Sequence, residues 1–104
     1  MTESKNAIEY ITIIAAREYK DEIVKLLIEL RCHLIELVYA KGSVKDSYFK
    51  DMLGLVPEEK KVIISCIVTS DVSSKVLEQL VSKLHFNRPN TGIAFTVPVD
   101  KLSV

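Results

Sequence analysis

A chain of 104 residues makes one domain, long enough to bury a core without disulfide staples. Hydrophobic residues form 48% of it, which excludes disorder, and 14 basic against 14 acidic residues leave no net charge to draw it to nucleic acid or an anionic membrane. The first residues are polar, no apolar run is long enough to span a bilayer, and Cys32 and Cys66 each sit inside an apolar segment, so a cytoplasmic protein with buried free thiols is expected.

Ala7 to Ala16 (AIEYITIIAA) is short, Ile-rich and bounded by polar residues, which predicts a strand. Arg17 to Lys20 reads as a polar connection. A helix follows from about Tyr19 to Leu30, with Asp21 and Glu22 in its first turn, where the helix dipole favours acids. Ile23, Leu27 and Leu30 make its buried stripe, widened by Val24 and Ile28. His33 to Lys41 is the second predicted strand. Lys60 to Thr69 (KKVIISCIVT) is the third, apolar on both faces. Ser70 or Asp71 is placed to cap a second helix from about Val72 to Leu84, whose stripe is Val76, Leu77, Leu80, Val81 and Leu84. Asn87, Pro89, Asn90 and Gly92 are turn residues, and they feed a fourth, buried strand, Ile93 to Val99.

The order β-α-β-β-α-β predicts an α+β, ferredoxin-like fold: one antiparallel four-stranded sheet with both helices on one face. Two helices cover only one side of such a sheet. Yet Val62, Ile64, Cys66 and Val68 alternate with Ile63 and Ile67, and the first two strands are likewise apolar on both sides. The second face needs a cover that the chain does not supply, so subunits covering one another are expected.

The stretch from Gly42 to Glu59 joins two strands that about two to five residues could connect. Tyr48, Phe49, Met52, Leu53, Leu55 and Val56 mark it as more than solvated chain. Contact with a neighbour, a partner protein or its own subunit are the readings open for it.

Arg88-Pro89-Asn90-Thr91-Gly92-Ile93-Ala94-Phe95, with Val97-Pro98-Val99-Asp100-Lys101 after it, resembles the end of short members of the P-II-like nitrogen regulatory signalling family. The exit of the long loop, Leu53-Gly54-Leu55-Val56-Pro57-Glu58-Glu59-Lys60-Lys61, is similar too. The resemblance implies a trimer with inward-facing sheets and adenine nucleotides in the clefts between subunits. It further implies that 42–59 corresponds to the family's T-loop, which docks on a target protein such as a membrane transporter or an enzyme. By position, Lys41, Gly42, Lys60, Lys61, Arg88, Asn90, Thr91 and Gly92 would line the cleft. Ile93 stands where typical members carry a phosphate-binding lysine, and the sequence stops at Val104, short of their arginine-bearing tail. Arg88 and the backbone N–H groups from Asn90 to Gly92 are then the expected anion contacts.

No phosphate-cradling Walker motif, nucleophile elbow or acid pair is present, so no catalytic activity and no catalytic residue is expected. Cys32-His33 with Cys66 is the one metal combination to weigh. Neighbours on an extended chain point apart, and the expected register sets Cys66 near Glu36, well along from Cys32. No metal site is assigned, and His85 reads as a surface or helix-end residue. The remaining alternatives are a divalent-metal-binding tolerance trimer of the same fold and a structural interaction module without a ligand.

Overall fold

Strands and helices follow one another in the computed structural model in the order β-α-β-β-α-β. Residues 7–41, 60–88 and 91–100 are described. Strand β1 is Ile8–Ala16, followed by a single 3-10 turn, Arg17–Tyr19, and helix α1, Lys20–Glu29. Strand β2 is Glu36–Lys41, β3 is Lys60–Thr69, helix α2 is Ser70–Leu84 and β4 is Gly92–Pro98.

Two boundaries differ from expectation, each for a local reason. Strand β2 starts at Glu36 rather than His33, because Arg31 (φ 64°) and Leu34 (φ 56°) adopt left-handed backbone that cannot enter a ladder. Arg31 closes α1: its N–H bonds the Ile28 carbonyl and the Cys32 N–H bonds the Leu27 carbonyl, both at 2.9 Å. Glycine normally fills that position in such a cap. Helix α2 has Thr69, not Ser70 or Asp71, at its N-cap. The Thr69 hydroxyl donates to the Asp71 carboxylate at 2.6 Å rather than accepting from the backbone. That bond, chiefly, holds the Asp71 carboxyl below the usual carboxylate range.

The strands lie in the order β2-β3-β1-β4, every neighbouring pair antiparallel. This is the split βαβ arrangement of the ferredoxin-like fold, since each helix crosses over a strand from the other half. One face carries the core. Ile11 and Ile13 on β1 stand opposite Cys66 and Ile64 on β3, and against them pack Ile23 and Leu27 from α1 and Val76 and Leu80 from α2. Each fully buried aliphatic side chain of this kind contributes about 1.5–3 kcal/mol. The Ser73 hydroxyl of α2 is hydrogen-bonded to Glu9 of β1, tying that helix to the sheet end.

Neither helix covers the opposite face, where Thr12 and Ser65 are buried among their neighbours and the larger apolar side chains are partly exposed. Cross-strand rows place Ile93, Ile14, Ile63 and Val38 side by side, then Phe95, Thr12, Ser65 and Glu36, then Val97, Tyr10 and Ile67. Val38, Ile67, Phe95 and Val97 remain 44–47% exposed. The expected buried strand at the C-terminal end is therefore only half-covered. Strand β4 turns Ala94 and Thr96 toward the helices and Ile93, Phe95 and Val97 toward the open side.

Candidate functional site

Register alone assembles one end of the sheet. Lys41 is the cross-strand partner of Lys60, Lys61 stands between Ala40 and Ala16, and Gly92 stands opposite Ala15. Of the residues expected to line a cleft, Lys41, Lys60, Lys61 and Gly92 are thus brought to the same end, with Thr91 directly before Gly92. Lys61 is buried and Lys60 is exposed. Arg88 is exposed on the turn after α2, its N–H bonded to the His85 carbonyl at 3.0 Å. Gly42 and Asn90 lie outside the described residues, as does the 42–59 segment.

The turn that leads into β4 is pinned from below. His85 ends α2 in left-handed backbone (φ 59°), the helix-end place expected for it. The next N–H, of Phe86, bonds the Leu80 carbonyl at 3.1 Å. The Phe86 ring then lies directly on Gly92: a Cβ there would sit 2.5 and 2.7 Å from ring carbons and 3.0 Å from the Ile14 carbonyl oxygen. Glycine serves close approach here. An apolar hollow of about 160 Å³ runs beside it, lined by Leu77, Val81, Phe86, Gly92 and Ala94 among others. Cations at the sheet end next to an apolar wall can hold a ligand with an anionic part and a flat apolar part.

Arg17 escaped the sequence reading, which took it as part of a polar connection. The 3-10 turn swings its guanidinium over Tyr39, 4.5 Å from the ring centroid, and its Nη2 donates a long 3.5 Å hydrogen bond to the Ala40 carbonyl. Its Nε is buried with no hydrogen-bond partner among the described residues. One signal was available: Arg17 is the first cation after β1, at the end of the sheet where the loop neck must lie. Lys20 stands close by, bonded to Asp21 at 3.2 Å, and Asp21 with Tyr39 raises its ammonium pKa.

The cysteines correct the expected geometry. Ser65, not Cys66, stands opposite Glu36. Cys32 is not set apart from Cys66: the left-handed cap at Arg31 folds Cys32 back into the core, where the two thiols influence one another. Burial pushes the Cys66 thiol up to about 12, and the neighbouring Cys32 adds to this; burial raises Cys32 as well. His33, by contrast, is exposed, so it parts from Cys32 as expected. Among the described residues, no group of three His, Cys, Asp or Glu side chains could hold a metal ion.

The four-stranded antiparallel sheet with its two helices is the ferredoxin-like α+β fold of PII-like signalling proteins. The chain belongs to the nitrogen regulatory protein P-II family, whose model matches residues 8–104. Among solved structures it is similar to a PII-like signalling protein of Thermus thermophilus, with 18% identity and a TM-score of 0.66 over 88% of this chain and 85% of that one. It is also similar to CPII of Thiomonas intermedia bound to ADP, AMP and acetate, at 16% identity and a TM-score of 0.66 over 90% and 89% of the two chains. The apo form of that CPII, a nitrogen regulatory PII-like protein, gives 15% identity and 0.64 over 88% of each chain. At these identities the likeness speaks for the fold. A comparison with proteins of curated function found no match.

Proposed function

We propose that the protein is a homotrimeric, non-catalytic signalling regulator that binds an adenine nucleotide between subunits and controls a partner protein through the 42–59 segment. The observation that carries this reading is the convergence of Lys41, Lys60, Lys61 and Gly92 on one sheet end, beside the neck of that segment. The apolar open face supports the oligomer, because a soluble chain rarely leaves such a surface bare. The bound ADP and AMP of the Thiomonas relative support the ligand class. Ligand binding at the neck would bias the arrangement of the segment and so its affinity for a target, by differential contacts in two states. The target class is a transporter or an enzyme in the cytoplasm.

Sedimentation and calorimetry test the reading together. A trimer of the 11.7 kDa chain sediments at about 35 kDa. ATP, ADP and AMP are titrated into the wild type and into Arg88→Ala, with divalent cations alone as the metal control. Nucleotide heats that weaken in Arg88→Ala are the expected result. A monomer at micromolar concentration, or a response to metal alone, refutes it.

A further inference from the structure

We draw no further inference here: the strongest candidate, the apolar groove between helix α1 and the outer edge of strand β2, lined by Val24, Ile28 and Leu37, carries nothing, since nothing in the structure shows what covers it.

Discussion

Replacing Gly92 by alanine isolates one contact on which the turn before β4 depends. No left-handed φ is involved, so the perturbation is steric. The added methyl would stand 2.5 Å from the Phe86 Cζ, roughly 0.9 Å inside the 3.4 Å at which ordinary van der Waals contact begins, and cores resist even smaller intrusions. It cannot escape the other way, because the Ile14 carbonyl oxygen at 3.0 Å belongs to a strand residue paired on both sides, with Ile63 and Ile93. The ring cannot swing freely either: the Phe86 N–H is fixed to Leu80, and the side chain packs on the core. Overpacking of this kind costs about 1–3 kcal/mol. For a domain of this size each kcal/mol lowers Tm by about 4–8 °C. Urea and thermal denaturation at fixed protein concentration measure the loss, since the proposed oligomer would make both concentration-dependent. Phe86→Leu removes the ring atoms in question, so the double variant Phe86→Leu/Gly92→Ala should lose less than the two single losses summed, by a coupling of about 0.5–3 kcal/mol. A Gly92→Ala protein as stable as wild type, or additive losses in the double variant, would refute the account of this turn.

Four further outcomes are expected. Ile13→Ala, at a fully buried position of β1, should cost about 2–5 kcal/mol in urea denaturation. Arg31→Gly should raise stability by about 0.5–1 kcal/mol, because the exposed arginine holds a left-handed cap that glycine adopts without strain. Cys32 and Cys66 should resist alkylation at pH 8 and react once urea unfolds the chain. Their folded thiol pKa values lie above the unfolded value, so the stability they contribute is intact below about pH 9 and is lost as pH rises toward about 12; a denaturation midpoint flat across that range would contradict it. Phe95→Glu, on the half-exposed side of β4, should leave circular dichroism unchanged while shifting sedimentation toward the monomer.

Much of the fold was legible because it depends on local periodicity. The apolar run of Lys60 to Thr69 placed β3 without error, and the helix stripes found the buried Ile23, Leu27, Val76, Leu80 and Leu84, but they also took in Ile28 and Val81, which are exposed, and missed the buried Leu26. Failures came where backbone conformation departs from what side-chain type suggests. Arginine and leucine are poor predictors of left-handed backbone, so Arg31 and Leu34 hid both the late start of β2 and the return of Cys32 to the core. The positions expected to line a cleft were legible only in part. Reasoning about topology brings Lys41, Lys60, Lys61 and Gly92 to one sheet end, whereas the place of Arg17 was hidden, because it depends on a stack with a residue on a strand two places away in the sheet.

The sequence by itself determined the order of elements and the presence of two apolar faces on one sheet, since hydrophobic period follows directly from strand and helix geometry. Tertiary structure decided what no period encodes. Register set Lys41 against Lys60 and Gly92 beside Ala15, a left-handed cap joined two distant thiols, and a single 3-10 turn laid Arg17 over Tyr39. These are contacts between residues far apart in the chain, fixed by how the two βαβ halves interleave.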